Sequence, residues 1–294
     1  MITILRDAGL FHLIASEALE RLAEGFQFTE GPLWSSDGSL LFQDIKAERT
    51  YCLDGSGALE VLREQTGAAN GQTFARDGRI VFCEQNGRRV SRMNRDGSGV
   101  ETVAETWSGQ RLNSPNDIVA RSDGLLFFTD PPYGVEPAQR ALHFQGLYAL
   151  DLAGTGPAAV RLLADDFEKP NGLAFSPDER ILYVCDTARY HIRAFEVEPS
   201  GSLRMGSGRV FARVDPDQPG GPDGMKVDRQ GRVYVAVAQG VWIFEPQGKL
   251  LGIIATPNRP ANLAWCDPDA HGLAITAVDA VFKVRLNERA RCAG

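Results

Sequence analysis

The 294-residue chain lacks several features that would assign it to other protein classes. Its five cysteines show no CxxC spacing, and an odd count without a framework indicates reduced thiols and a cytoplasmic location. No apolar run approaches the length of a membrane span, and the first residues carry no signal-peptide pattern. The absence of a GxSxG motif argues against a serine hydrolase.

Clusters of basic residues are also absent, and the formal net charge is −7. An acidic chain without a run of lysine and arginine is a poor partner for nucleic acid. Hydrophobic residues make up 43% of the chain and charged residues 23%, which is enough apolar content for an ordinary soluble core. We expect a monomer or weak homo-oligomer that binds a small molecule and neither nucleic acid nor membrane.

One sequence unit recurs through the chain. Each copy begins with an oxygen-bearing side chain, followed by a small or turn residue, an apolar strand, an Asp- and Gly-rich turn and a second apolar strand. The clearest copy runs from Lys169 to Asp186, and the chain contains six copies in all, whose first residues are 39 to 55 residues apart. Their first residues, here called the mouth residues, are Glu30, Asn70, Asn116, Asn171, Asp223 and Asn262.

Repeats of this length, with several strands each, predict a β-propeller with one copy per blade. We therefore expect an all-β fold, a single six-bladed β-propeller over residues 1–294, because a lone blade cannot bury both faces of its sheet. In residues 1–24, a strand over Leu19–Ala23 would complete the last blade, and a short helix over Ala15–Glu24 is the alternative. Equivalent positions share one height around the channel, so the mouth residues should form a ring at one end.

Three long irregular stretches lead into or out of this ring and are expected to act as lids over the channel. They are Thr106–Pro115, Pro131–Ala141 and Asp215–Pro222.

Two mouth residues are acidic, and this favours a metal site at one end of the central channel. Calcium takes roughly 6–8 oxygen ligands. The carboxylates of Glu30 and Asp223, with amide oxygens of Asn116 and Asn171, would leave positions open for water or substrate. The group contains no His or Cys, which disfavours zinc, and magnesium prefers a tighter octahedron.

The alternative for each asparagine is a turn role, because Asn and Asp before Gly are common turn formers. Asn70 and Asn262 are assigned to that role. Glutamate is not a turn former, so the explanation does not extend to Glu30.

Five short motifs, in this order, resemble those of the SMP-30/gluconolactonase/luciferin-regenerating-enzyme family, and most of all its bacterial gluconolactonases. They are Phe28–Trp34 (FTEGPLW), Ser114–Asp117 (SPND), Thr129–Gly134 (TDPPYG), Pro170–Gly172 (PNG) and Pro222–Met225 (PDGM). The resemblance extends over about residues 20 to 285. It implies a six-bladed propeller that holds a divalent metal, usually calcium, in the channel mouth.

The resemblance also implies residue roles. The family's metal ligands fall on Glu30, Asn171 and Asp223, with Asn116 as a further ligand or substrate contact. Its proposed acid/base falls on Asp223. The arginine that helps bind sugar in some members has its nearest counterpart in Arg111, although the loop spacing before Asn116 differs.

Further substrate contacts are expected near the lids. Tyr133 would orient the substrate together with Asn116, Asp130 opens the DPPYG element, and His143 follows a lid. Acidic residues that end second strands have turn capping as their default role, and these are Asp44, Glu84, Asp130 and Asp186.

The expected activity is metal-dependent hydrolysis of sugar lactones to aldonic acids. Calcium is the first choice of ion, with manganese, zinc and magnesium as the other candidates. Two alternatives stay open: a paraoxonase-like esterase or lactonase acting on non-sugar substrates, and a non-enzymatic propeller that binds a partner.

Overall fold

Short antiparallel strands dominate the computed structural model, which describes residues 2–153, 159–215, 217 and 220–288. The strands are β1 (Ile4–Asp7), β2 (Glu20–Trp34), β3 (Leu40–Asp44), β4 (Arg49–Leu53), β5 (Leu59–Glu64), β6 (Ala69–Phe74), β7 (Ile80–Glu84), β8 (Arg89–Met93), β9 (Glu101–Ala104), β10 (Thr106–Trp107), β11 (Gln110–Arg111), β12 (Ile118–Ala120), β13 (Leu126–Asp130), β14 (Gln145–Asp151), β15 (Ala159–Phe167), β16 (Pro170–Phe175), β17 (Ile181–Asp186), β18 (His191–Glu196), β19 (Arg209–Arg213), β20 (Met225–Val227), β21 (Val233–Val237), β22 (Gly240–Phe244), β23 (Leu250–Ala255), β24 (Asn262–Cys266) and β25 (Gly272–Arg285). The helical segments are 3-10 turns at Leu10–Leu13, Pro137–Gln139 and Thr187–Arg189.

Several second strands are completely buried. Every residue of β7 (IVFCE), β13 (LFFTD) and β21 (VYVAV) is buried. Such runs of β-branched and aromatic residues suit a strand covered on both faces, and the Asp- and Gly-rich turns before them allow the chain to reverse.

Five sheets of four or more strands contain most of the strands in the described residues. Three of them are runs of four consecutive strands, β6–β9, β12–β15 and β16–β19. The fourth combines β20–β23 with β1, which pairs with β23 at the edge. The fifth, here called the shared sheet, has the order β24-β25-β2-β3-β4-β5, while β10 and β11 form a separate two-stranded ribbon. The all-β propeller is confirmed.

The prediction of six separate blades is wrong, because the structure has five such sheets. The cause is the length of β2 and β25. Residues 20–24 and Thr29 of β2 pair with β25, and residues 29–34 pair with β3, so the last and first copies join in the shared sheet. Periodicity could not reveal this join, since it depends on contacts between the two ends of the chain.

The first strands of the copies surround a central channel in a closed ring. Strand β2 contacts β6 and β24, β12 contacts β6 and β16, and β20 contacts β16 and β24. Glycines permit this close approach: a Cβ on Gly31 would lie 2.1 Å from the backbone oxygen of Asn70, and one on Gly172 would lie 2.3 Å from that of Asp223. Each such glycine therefore allows the backbone beside a mouth residue to pack directly against the next strand.

Apolar side chains fill the space between neighbouring sheets. Tyr234 and Trp265, for example, meet edge to face at 5.0 Å between the β20–β23 sheet and the shared sheet. Leu10 of the first 3-10 turn is fully buried in the same cluster. No helix among the described residues has the length and apolar character needed to cross a bilayer.

Candidate functional site

A cavity of about 640 Å³ lies where the first strands begin. Its wall includes five of the six mouth residues, and all five are buried: Glu30, Asn70, Asn116, Asn171 and Asp223. The convergence expected from the repeat register is therefore present. A larger cavity of about 1010 Å³ is lined by charged turn residues such as Arg121, Asp178 and Glu198 and contains none of this group.

The carboxylate of Glu30 sits in the wall with little compensation for its charge. The backbone N–H of Gly31 donates to its Oε2 at 2.9 Å. Burial raises the pKa of Glu30 well above its usual value, and the charge of Asp223 raises it further. The two acidic mouth residues are thus electrostatically coupled, as their placement at one mouth predicts.

Asp223 is held by an arginine from the loop that precedes the next mouth residue, Asn262. Arg259 donates from Nη2 to Oδ2 of Asp223 at 3.0 Å. Burial raises the pKa of Asp223 to about 6, and the Arg259 charge and a hydrogen bond with Asn171 act in the opposite direction. A carboxyl with this pKa is mostly ionised at neutral pH and can still accept and release a proton.

Asn171 is oriented by its neighbours. Its Nδ2 donates to the hydroxyl of Thr187 at 3.1 Å and to that of Tyr133 at 3.3 Å. Thr187 in turn donates to the carbonyl of Pro222 at 2.8 Å, one residue before Asp223. With its amide hydrogens engaged, Asn171 offers its Oδ1 as the atom that could bind a cation or accept a hydrogen bond.

The donor set at the mouth fits a hard divalent cation. It consists of two carboxylates and several amides, and the described part of the chain contains no group of three or more His, Cys, Asp or Glu side chains placed to hold a metal ion. Oxygen donors of this kind suit calcium or magnesium, whereas zinc favours His and Cys. Burial and the charge of Asp223 raise the pKa of Glu30, which means that its ionised form is destabilised; a bound cation would stabilise that form.

A repeated capping interaction positions three of the mouth residues. The carboxylate of Asp186, at the end of β17, accepts the backbone N–H groups of Glu168 at 3.0 Å and Lys169 at 2.9 Å. These donors lie three and two residues before Asn171. The carboxylate thereby fixes the backbone that enters the cavity wall.

The same spacing occurs in two other copies. Asp44 accepts from Gln27 at 2.8 Å and Phe28 at 3.0 Å before Glu30, and Asp130 accepts from Asn113 at 2.8 Å and Ser114 at 2.7 Å before Asn116. Turn capping is therefore present at these three positions. Glu84 differs, since it pairs with Arg89 at 2.9 Å.

Three of the expected substrate contacts are not part of the cavity wall among the described residues: Asp130, Arg111 and His143. Asp130 is fully buried and engaged in capping, and burial raises its pKa to about 7. Arg111 is exposed on the β10–β11 ribbon, where it donates to the carbonyl of Gly87 at 3.1 Å. His143 is exposed. Tyr133, by contrast, lines the cavity.

Sequence reasoning missed several residues of the wall. Asn70, assigned to a turn, lines the cavity, as do Lys46, Lys169 and Arg259. Arg259 lies three residues before Asn262, in the type of loop that leads to the mouth. This position could have indicated a residue near the cavity. The pairing of Arg259 with Asp223 could not be predicted, because it depends on how the loop packs.

Comparison with known proteins matches the chain and its fold to one family. Residues 28–279 match the model of the family described as SMP-30/Gluconolactonase/LRE-like region. The chain is 29% identical to a gluconolactonase of Zymomonas mobilis over 300 residues, covering 93% of this chain and 82% of that protein. It is also 29% identical to a pentonolactonase of Haloferax volcanii over 252 residues, covering 84% and 80% respectively.

A solved structure shows the same architecture. A gluconolactonase from Xanthomonas campestris superposes with a TM-score of 0.85 at 33% identity, covering 97% of this chain and 94% of that chain. The described fold and the matched residues therefore agree.

Proposed function

The chain belongs to the SMP-30/gluconolactonase/LRE-like family, and from this premise we propose that it hydrolyses sugar lactones to aldonic acids with a bound divalent cation. One observation carries the proposal: the buried carboxylates and amides of Glu30, Asn116, Asn171 and Asp223 line one cavity. The relatives named as gluconolactonase and pentonolactonase support the choice of sugar lactones.

Glu30, Asn171 and Asp223 would hold the cation, with Asn116 as a further ligand or substrate contact. Calcium suits these donors best, because they are oxygens on separate strands. When bound, the ion would supply positive charge that polarises the lactone carbonyl and opposes the charge developing on its oxygen.

Asp223 would act as the proton carrier. Its carboxylate accepts a proton from the attacking water, whose oxygen bonds to the carbonyl carbon. The ring C–O bond then breaks, and Asp223 returns the proton to the departing oxygen, which becomes a hydroxyl group. In the protein without a bound cation the pKa of Asp223 is about 6, so the carboxylate is mostly ionised near neutral pH and free to accept a proton. Asn116 and Tyr133 would orient the lactone in the cavity.

The test is a lactone-opening assay on purified protein, in which the rate is measured from the acid that is released. We expect activity on aldonolactones, its loss after chelation, and its recovery on addition of calcium or manganese. A substrate panel with aryl esters and non-sugar lactones distinguishes the proposed activity from the paraoxonase-like alternative, which would act on those compounds. Undiminished activity after complete metal removal, or no opening of any sugar lactone by the metal-loaded protein, would overturn the proposal.

A further inference from the structure

Three cationic side chains line the cavity, and the lactonase reaction as proposed uses none of them directly. They are Lys46, Lys169 and Arg259. Each comes from a different copy of the repeat: Lys46 follows β3, Lys169 precedes Asn171, and Arg259 precedes Asn262. They therefore approach the mouth from separate sides of the ring.

Each lysine is placed by an aromatic ring of the same wall. The Nζ of Lys46 lies 5.6 Å from the ring centroid of Phe28, and that of Lys169 lies 5.6 Å from the ring centroid of Tyr133. Cation–π contacts of this kind hold an ammonium group without neutralising its charge. We call Lys46 and Lys169 the lysine pair. Among the described residues, only Lys283 forms ion pairs as a lysine, so neither member of the lysine pair has an acidic partner.

The formal charge of the mouth is therefore positive. Lys46, Lys169 and Arg259 outnumber the carboxylates of Glu30 and Asp223 within the wall. A bound divalent cation would add two further positive charges. The whole chain has a formal charge of −7, so the net charge at this end of the channel is opposite in sign to that of the whole protein. A cleft of one sign attracts ligands of the opposite sign and raises their association rate.

We propose that the site selects lactones that carry an anionic group, namely a carboxylate, over neutral sugar lactones. The inference rests on the proposed lactonase function and names its substrate class. One end of such a substrate is the lactone carbonyl beside Asp223. The other end is the carboxylate, which the lysine pair binds at the edge of the cavity. The monolactone of a sugar diacid has both groups, and the cavity of about 640 Å³ has room for a molecule of that size.

The experiment compares kcat/KM for three lactones of similar ring: neutral, carboxylated and phosphorylated. It uses the calcium-loaded wild-type protein, Lys46→Met, Lys169→Met and the double variant. Lys249→Met serves as the matched control, because Lys249 is exposed and does not line the cavity. Arg259 stays unchanged, because its contact with Asp223 would confound the result.

We expect wild type to prefer the carboxylated lactone. The double variant should lose about tenfold in kcat/KM for it, mainly through KM, while the neutral lactone changes less than about twofold. Added salt should weaken the preference in wild type. The proposal is overturned if the double variant affects the neutral and carboxylated lactones equally, or if wild type prefers the neutral or the phosphorylated compound.

A binding measurement separates this inference from the lactonase proposal. Titration of the calcium-loaded protein with a sugar diacid and with a neutral polyol should show tighter binding of the diacid, reduced in the double variant. If neutral lactones are opened but the diacid binds no better than the polyol, only the substrate class fails. If no lactone is opened, the lactonase proposal fails, and this inference fails as well because it depends on that proposal.

Discussion

Arg259 donates a hydrogen bond to the carboxylate of Asp223 across 3.0 Å, although 36 residues separate them in the chain. The guanidinium favours the ionised form of Asp223 against the effect of burial. Arg259 lies in the loop just before the next mouth residue, Asn262, so the path of that loop influences the protonation of the proposed base.

Replacing Arg259 by Gln should raise the pKa of Asp223 above its present value of about 6. The positive charge is lost while the carboxyl stays buried, so the neutral form gains stability. The acidic limb of the kcat/KM profile should move to higher pH. Lys249→Met is the control, and an unchanged or downward-shifted limb would contradict the role assigned to Arg259.

Calcium should stabilise the protein more at pH 7.5 than at pH 5. Asp223 has a raised pKa of about 6 in the folded metal-free protein, against an ordinary value of 3.8. Its contribution to stability is therefore present below pH 3.8 and is lost as the pH rises through about 6. At pH 5 a cation must displace the proton, whereas at pH 7.5 it meets an ionised group. Thermal unfolding with and without calcium measures the difference, and a larger rise in Tm at pH 5 would contradict it.

Asp223→Asn should fold and lose most of its activity. The amide keeps the shape but cannot accept the proton, and removal of a general base typically costs about 10²–10⁴ in rate. Circular dichroism checks the fold, and Asp269→Asn, at an exposed ion pair with Arg285, is the control. Retention of full activity in folded Asp223→Asn would exclude the mechanism.

Asp186→Asn should weaken cation binding, because Asp186 positions the backbone before Asn171 without lining the cavity. Asparagine replaces two charge-assisted acceptor atoms by one neutral acceptor, so we expect about tenfold lower calcium affinity. Excess calcium should restore kcat, which a general loss of folding would not allow. Glu84→Gln is the matched control, since Glu84 ends the equivalent strand β7 and pairs with Arg89 instead. Equal losses in both variants would contradict a positioning role.

Gly172→Ala should lower the free energy of unfolding by about 1–3 kcal/mol through overpacking. The added Cβ would meet the backbone oxygen of Asp223 at 2.3 Å and the Cα of Gly224 at 2.5 Å. Gly55→Ala is the control, because its nearest neighbour would lie at 3.6 Å, an ordinary contact. Denaturant midpoints compare the two variants, and equal midpoints would show that the ring tolerates the extra atom.

The amino-acid sequence alone determined the strand-rich repeat and the oxygen-bearing residue that starts each copy. Both are local patterns: apolar runs, Asp- and Gly-rich turns, and a fixed offset between them. Register around a ring then places equivalent residues at one height, so Glu30, Asn171 and Asp223 could be assigned to a common mouth before any coordinates existed. Turn capping by Asp44, Asp130 and Asp186 was predictable for the same local reason.

Only the tertiary structure decided which copies join and which loop residues reach the cavity. The shared sheet forms because β2 is long enough to pair with both β25 and β3, a contact between the two ends of the chain. Arg259 reaches Asp223 while Arg111 stays on an exposed ribbon, although both precede mouth residues. Loop paths depend on packing against distant segments, and no local pattern records that packing.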